Sequence, residues 1–285
     1  NNELATDDNE IFYRGHSNAD KYLLQPSLFR QYAGKGTIYL ESEHNSYREL
    51  LTIEPNSFVT DSSCFEVLTR MQHYSLPTRL LDISSNPLTA LYFACETQDN
   101  VDGEVILVAV DKSNINYYDS DKVSCLTNLA KLNEKQKQEL KSLITRIKNT
   151  TPDQKILDEN LYDSTAAEDK VYSQLIHYIR QEKSYFQPKI EIDDLEKILC
   201  VKGRLNQDRI IAQSGSFLLF GLKEQLHNDG DHIYTIKRIR IPADQKSRIL
   251  KELDMLKINS RTVYPSIESS SKYLKQQLEK KADSK

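Results

Sequence analysis

Apolar positions along the chain follow two different spacings, and the first of them predicts β-strands. Residues 11–13 form a short β-prone run that ends at Gly15. Residues 105–110 form an uninterrupted apolar run, which is typical of a strand buried on both faces. Strand character returns at residues 198–201, 217–220 and 234–241.

The second spacing places apolar residues three or four positions apart and predicts helices. One helix over residues 41–53 and another over residues 65–74 each end before a proline. A third helix begins at Asn86-Pro87, because the asparagine can cap it and the proline fits its first turn. Two amphipathic helices, around residues 249–256 and 274–278, finish the chain.

The segment from about residue 124 to 183 is charged, and its apolar residues repeat only at helical spacing. We therefore expect an all-helical insertion or lid within a body that combines strands and helices. The sequence predicts an α+β fold, with mixed or antiparallel sheets packed against helices, in a single domain that carries this insertion.

Composition narrows the class of protein. The chain has 285 residues and a net charge of −4, which argues against a globally basic nucleic-acid binder but leaves room for a local basic groove. It contains no apolar run of the roughly 20 residues that a membrane span needs, and its four cysteines are too widely spaced for a disulfide scaffold or a zinc site. We expect a soluble, cytoplasmic protein without a metal. The chain begins at Asn1 rather than Met, which leaves open whether an N-terminal part is missing.

A first candidate site is Tyr13-Arg14-Gly15-His16, at the end of the first predicted strand. Arg14 offers a planar fork of donors suited to phosphate or carboxylate. Gly15 lets a ligand or another backbone approach closely, and His16 can donate, accept or transfer a proton. The alternative is an arginine paired with a carboxylate beside an ordinary turn.

A second candidate site is the polar segment of residues 72–82, which joins a helix to Leu80-Leu81. Loops that concentrate polar groups between rigid elements often carry function. Here too a structural alternative stays open: Arg79 and Asp82 can form a buried pair, and His73 can simply pack near Tyr74.

Two further stretches carry polar groups. Gln213 and Ser214 stand beside Gly215, either as part of a site or at a β-bulge. A basic stretch between Lys237 and Lys251 can follow a phosphate backbone or form a solvated face. Glycine-rich nucleotide-binding signatures and common hydrolase motifs are missing from the sequence, so arginines would have to hold any phosphate.

Several of these segments resemble the FRG domain family. The resemblance is carried by Phe12-Tyr13-Arg14-Gly15-His16, by Leu24-Gln25-Pro26-Ser27-Leu28-Phe29-Arg30, by residues 72–82, by residues 86–94, and later by Arg209, Gln213, Gly215, Phe217 and Tyr264-Pro265-Ser266. On this basis we expect an FRG domain over residues 11–275, a flexible tail over residues 1–10 and a charged tail over residues 276–285.

The resemblance also implies an activity, since the order of these segments is similar to that of ADP-ribosyltransferases. It implies an NAD-dependent transferase, a toxin or antiviral effector that modifies a nucleic acid or a protein, with NAD as its substrate. The alternative is a non-catalytic module that senses a nucleotide or a phage component. An antitoxin or chaperone partner would dock on the helical segment.

The site residues that the resemblance implies fall into two groups. Arg14, Asp82 and Gln213 would be catalytic. Tyr13, Gly15, His16, Arg30, His73, Tyr74, Thr78 and Arg79 would bind NAD. In this scheme Arg14 and Arg30 hold the phosphates, His73 and Tyr74 line the nicotinamide pocket, and Asp82 and Gln213 flank the ribose. Gln213 cannot carry the negative charge that a late glutamate would bring to an oxocarbenium-like centre.

Overall fold

The computed structural model of the protein describes residues 6–151, 155–158, 167–204, 215–265 and 273. Several sequence predictions lie outside these residues. They are the roles of Gln213 and Ser214, the resemblance carried by Arg209 and Ser266, the last predicted helix over residues 274–278, the C-terminal tail, and half of the N-terminal tail.

Nine strands in the described residues form two sheets. The strands are β1 (Asn9–His16), β2 (Leu80–Ser84), β3 (Gly103–Asp111), β4 (Ile115–Tyr117), β5 (Ile156–Asp158), β6 (Lys189–Glu191), β7 (Ile198–Lys202), β8 (Gly215–Phe220) and β9 (Tyr234–Ile241). The larger sheet has the order β4-β7-β8-β2-β1-β3-β9 and is antiparallel except where β4 joins β7. The smaller sheet pairs β5 with β6.

Helices surround the larger sheet. They are α1 (Ile38–Ile53), α2 (Cys64–His73), α3 (Pro87–Cys95), α4 (Asp121–Thr127), α5 (Glu134–Thr150), α6 (Ala167–Glu182), α7 (Ile192–Glu196), α8 (Ala243–Met255) and α9 (Ser260–Val263). The predicted α+β class, with its mixed sheet, is therefore confirmed. Within the described residues, no helix has both the length and the apolar character needed to cross a membrane.

The predicted elements with strong local signals are present. Asn86 caps α3 as expected: its side-chain oxygen accepts a hydrogen bond from the Leu88 N–H at 2.9 Å. The run at residues 105–110 lies in β3, whose side chains are buried on both faces except for Leu107 and Asp111. These elements form because the local signals in the sequence, the spacing of the apolar residues and the capping residue, favour the same structure.

The segment 124–183 is not all-helical, so that part of the prediction is wrong. It contains α5, α6 and most of α4, but β5 lies between α5 and α6. β5 forms because Ile156 pairs with Glu191, more than thirty residues later, and because the Tyr172 hydroxyl donates to the Leu157 carbonyl at 2.8 Å. Helical periodicity cannot reveal a three-residue strand that depends on a distant partner.

The helices of this segment share a core with the sheet. Leu126 of α4, Leu143 of α5 and Leu175 of α6 are buried in one cluster with Phe217 and Leu219 of β8. The opposite face of the same strands packs in a second cluster that contains Leu81, Ile83 and Leu218. The central strands are therefore covered on both faces, and α4–α6 form one of the covering layers.

Candidate functional site

A cavity of about 340 Å³ opens where the sheet is least tightly joined. β1 and β3 pair along eight consecutive positions, whereas a single register pair, Tyr13 with Ser84, joins β1 to β2. The cavity lies between these two strands and α3. It is lined by Tyr13, Arg14, Gly15, His16, Ser17, Tyr22, Arg30, Asp82, Ile83, Ser84, Ala90, Phe93, Glu96 and Thr97.

Gly15 allows α3 to form one wall of this cavity. A Cβ atom at Gly15 would lie 2.0 Å from the carbonyl oxygen of Ala90 and 2.6 Å from the backbone nitrogen of Ala94. No larger residue fits without moving the helix away from β1. Of the two uses that the sequence allowed for this glycine, the close approach of another backbone is the one observed.

Arg14 bridges the gap between β1 and β2. Its Nη1 donates to the main-chain carbonyl of Asp82 at 2.6 Å, and its Nε donates to Nε2 of His16 at 3.1 Å. A guanidinium has five N–H groups, so donors remain that have no partner in the described part of the chain. Burial, opposed by Asp82 and assisted by Arg30, lowers the pKa of Arg14 to about 10. The side chain is therefore still a cation at neutral pH.

His16 holds Arg14 in place as a neutral ring. Its side chain is buried, and its Nδ1 lies 3.0 Å from Oε1 of Glu104, the residue opposite it on β3. Burial lowers the pKa of His16 to about 4, although Glu104 acts in the opposite direction. The network assigns the proton to Nδ1, which donates to Glu104, and leaves Nε2 to accept from Arg14. Both ring nitrogens are thus occupied.

Asp82 presents its carboxylate to the cavity from β2, and a short chain of hydrogen bonds orients it. The Gln72 amide donates to its Oδ2 at 2.7 Å, and the Thr78 hydroxyl donates to the Gln72 amide oxygen at 2.7 Å. Gln72 and Thr78 of the predicted segment 72–82 therefore lie behind the cavity wall and hold Asp82 in its orientation.

Arg30 brings a second guanidinium to the same cavity. Its Nε and Nη2 both donate to the carbonyl oxygen of Gln25, at 3.2 and 2.9 Å. Burial lowers its pKa from the ordinary value. Two arginines, one from β1 and one from the segment that follows it, thus line one half-buried space, which also contains Asp82 and Glu96.

Arg79 lies elsewhere, in a buried ion cluster. Its Nε and Nη2 donate to the two carboxylate oxygens of Glu43 at 2.9 and 2.6 Å, and its Nη1 donates to the carbonyls of Phe220 and Gly221. Lys137 donates to the same Glu43 at 2.6 Å. The side chain is 1% exposed. Its partner is Glu43, so the alternative of a buried Arg79–Asp82 pair, which the sequence left open, is not observed.

The other predicted NAD-binding residues of this segment do not line the cavity. His73 and Tyr74 stand at the end of α2 with their rings 5.0 Å apart, and Tyr74 is 62% exposed. This is the ordinary packing that the sequence left open for His73. Thr78 is buried against Gln72. Gln213 lies outside the described residues, so its predicted role stays a prediction.

Sequence reasoning missed several residues at or next to the cavity, among them four with contacts that shape it. Tyr22 lies edge-on to the His16 ring, Phe93 of α3 and Glu96, directly after α3, line the cavity, and Glu104 holds His16. A signal for the second and third was present, because Ala90, Phe93 and Glu96 are three positions apart and share one face of a helix. Glu104 could not be found that way, since its position depends on the pairing of β1 with β3.

Carboxylates largely compensate the positive charges of the basic stretch between Lys237 and Lys251, which begins in β9. Arg238 contacts Glu104 at 2.6 Å, and Arg240 contacts Asp20 and Asp102 at 3.1 and 2.8 Å. Lys246 is buried, and its ammonium donates to three main-chain carbonyls, one of them that of Ser17 at 2.8 Å. These charges serve internal contacts, which weakens the case for a path along a phosphate backbone.

Comparison with known proteins gives a family match over the part of the chain that lines the cavity. Neither the curated proteins nor the solved structures contain a match to this chain. The family model of the FRG domain matches residues 9–103, a range that contains every residue lining the cavity. The wider extent of residues 11–275 stays a prediction. This match identifies an FRG domain in residues 9–103.

Proposed function

We propose that the cavity binds a phosphate-bearing dinucleotide, NAD, and that the protein transfers its ADP-ribose group to an acceptor. The observation that carries the proposal is that Arg14 and Arg30 line the same cavity. Arg14 also has N–H donors without a partner in the described part of the chain. Guanidinium groups bind phosphate oxygens through short, charge-assisted hydrogen bonds. A cavity of about 340 Å³ lies within the usual range for small-molecule sites, although it accommodates only part of a dinucleotide.

The remaining lining residues suit the chemistry of this transfer. The bond between the nicotinamide nitrogen and C1′ of the ribose breaks and leaves its electrons on nicotinamide. The acceptor then bonds to C1′ and loses a proton. The ribose passes through an oxocarbenium-like state, which a nearby carboxylate stabilises. Asp82, held by Gln72, is the residue that we assign to this role, with Arg14 holding the pyrophosphate.

Release of nicotinamide tests the transferase directly. The full chain is incubated with labelled NAD and cell extract, and both free nicotinamide and labelled acceptor are measured. We expect release by the parent protein, a loss of about 100-fold in Arg14→Met because a charge-assisted contact is removed, and no change in Arg248→Met, whose side chain is 70% exposed on α8. The acceptor, nucleic acid or protein, is identified by the label. The absence of both release and label in the parent would show that the protein is not a transferase.

A role as a toxin or antiviral effector is part of the same proposal and has its own test. Growth is followed while the parent, Arg14→Ala or Asp82→Ala is expressed to equal levels. We expect toxicity from the parent and relief in both variants. Equal toxicity from all three proteins would mean that the effect does not come from this cavity.

A binding module without turnover is the second candidate, and the hydrogen bonds of His16 and Asp82 favour it. Both nitrogens of His16 are engaged, and one oxygen of Asp82 accepts from Gln72. The first of these arrangements leaves His16 no nitrogen with which to accept a proton from an acceptor. Tight binding of NAD by the parent, without release of nicotinamide in any extract, would identify a sensor.

A further inference from the structure

The α3 side of the cavity carries an aromatic and an anionic side chain. Phe93 of α3 and Glu96, the residue directly after it, line the cavity there, while Arg14 and Arg30 reach it from other elements. Because the cavity contains both kinds of charge, its best ligand carries both as well, with phosphates at the arginines and a positive group near α3. An oxidised dinucleotide has this distribution, since its phosphates are anionic and its nicotinamide ring is a pyridinium cation.

Two tyrosines outside the cavity hold the Glu96 carboxylate. The Tyr264 hydroxyl donates to Oε2 at 2.9 Å, and the Tyr92 hydroxyl lies 3.4 Å from Oε1. Hydrogen bonds donated to a carboxylate stabilise its negative charge and fix its direction. The proximity of Glu96 is also one cause, after burial, of the raised pKa of Tyr92, so this hydroxyl stays protonated and remains a donor.

The ring of Phe93 is held by the same tyrosines. It packs edge-on against Tyr264 with the centroids 5.9 Å apart, and against Tyr92 at 6.0 Å. The face of an aromatic ring attracts a cation, most strongly where water is excluded. Phe93 and Glu96 therefore offer two independent attractions for a positive group, both fixed in position before a ligand arrives.

We propose, resting on the dinucleotide site proposed above, that Phe93 and Glu96 bind the cationic nicotinamide ring and select NAD⁺ over NADH. The reduced ring is neutral, so it gains neither the ion pair with Glu96 nor the cation–π contact with Phe93. The phosphates and riboses are identical in the two forms and contribute equally. We therefore assign the selection of the oxidised form to Phe93 and Glu96.

Affinities of the full-length protein for NAD⁺, NADH and ADP-ribose, measured by calorimetry, test the proposal. We expect the parent to bind NAD⁺ about tenfold more tightly than NADH. Glu96→Gln should lose most of this preference through weaker NAD⁺ binding, while its affinities for NADH and ADP-ribose stay within about twofold. Glu252→Gln removes a carboxylate from α8, away from the cavity, and should behave as the parent.

A second variant guards against a folding defect in Glu96→Gln. Phe93→Leu keeps an apolar side chain and removes only the ring, so it should also weaken NAD⁺ selectively. Equal affinities of the parent for NAD⁺ and NADH, or an equal loss of both in Glu96→Gln, would overturn the selection while leaving the dinucleotide site intact. If the parent binds none of the three ligands, the proposed function fails, and the role of Glu96 fails with it.

Discussion

Arg14 and Arg79 come from the two segments that the sequence marked as one site, but their surroundings differ. Arg79 donates to both oxygens of Glu43 and to two main-chain carbonyls, and it is 1% exposed. Arg14 is half-buried, makes two hydrogen bonds and faces a cavity. The N–H donors of Arg79 bind other groups of the protein, whereas Arg14 keeps N–H donors that a ligand can use.

The difference shows what separates a structural arginine from a binding one. Both side chains are at least partly removed from bulk water, so burial alone does not decide their roles. The distinction is in the number of donors that the protein itself satisfies, because a buried donor without a partner costs about 1–3 kcal/mol. For Arg14 that cost is tolerated beside an open cavity, where a ligand can remove it.

The largest expected effect tests the structural half of the comparison. Arg79→Met should lower the free energy of unfolding by about 3–5 kcal/mol, because Glu43 and Lys137 would stay buried as an incomplete cluster. Arg14→Met should cost about 1 kcal/mol, since its two contacts are near the cavity surface. Urea denaturation followed by circular dichroism measures both. Equal losses in the two variants would mean that the two arginines have similar roles.

The next effect tests the binding half. Arg14→Met should weaken NAD binding by about 100-fold, because the lost guanidinium makes charge-assisted contacts to phosphate. Calorimetry on the folded variant measures this loss. Arg70→Met serves as the control, because Arg70 lies in the last turn of α2, forms a bidentate ion pair with Asp61 and does not line the cavity. If the control loses as much affinity as Arg14→Met, the cavity is not the binding site.

The sequence could predict most of the strands and helices that form the cavity wall, and about half of the residues that line it. β1 and α3 each have a strong local signal, and the resemblance placed Arg14, Arg30 and Asp82 in one site, where the structure brings them together. It could not separate Arg79 from that group. Glu43, the partner of Arg79, is a buried charge on α1, a helix whose pattern marks such a residue as solvent-facing.

The missed residues share one physical reason. Glu104 and Lys137 matter because strands or helices far apart in sequence bring them next to His16 and Glu43. The charge of a residue is visible in the sequence, but its partner depends on the register of β1 with β3 or on the packing of α5. Neither of these follows from local periodicity.

As the pH falls, the stabilising contribution of the Arg14 region should be lost before that of the Arg79 cluster. The folded protein keeps His16 neutral down to about pH 4, whereas the unfolded chain binds the proton near the ordinary pKa of about 6.5. Since the unfolded state binds more protons, stability falls as the pH drops through this window. His16 should account for about 2 kcal/mol between pH 7.5 and 5. In the other cluster, burial raises the pKa of Glu43, but Arg79 and Lys137 lower it below the ordinary value, so this carboxylate stays charged.

Denaturation at several pH values measures this effect. His16→Gln should show a shallower loss of stability from pH 7.5 to 5 than the parent does, by the same amount. His227→Gln is the matched control, because the side chain of His227 is 74% exposed, and it should follow the parent. Parallel curves for His16→Gln and the parent would show that the histidine beside Arg14 is not held neutral.

The smallest expected effect sharpens the comparison at Asp82, the carboxylate that shares the cavity with Arg14. Gln72→Leu removes the amide that donates to Asp82 and also the acceptor for Thr78. We expect a loss of about 1 kcal/mol in the free energy of unfolding and a roughly fivefold weaker affinity for NAD, because the carboxylate loses its direction but keeps its charge. Thr78→Val removes only the outer contact and should cost less on both measures. If Thr78→Val weakens NAD binding as much as Gln72→Leu does, the hydrogen-bond chain does not act through Asp82.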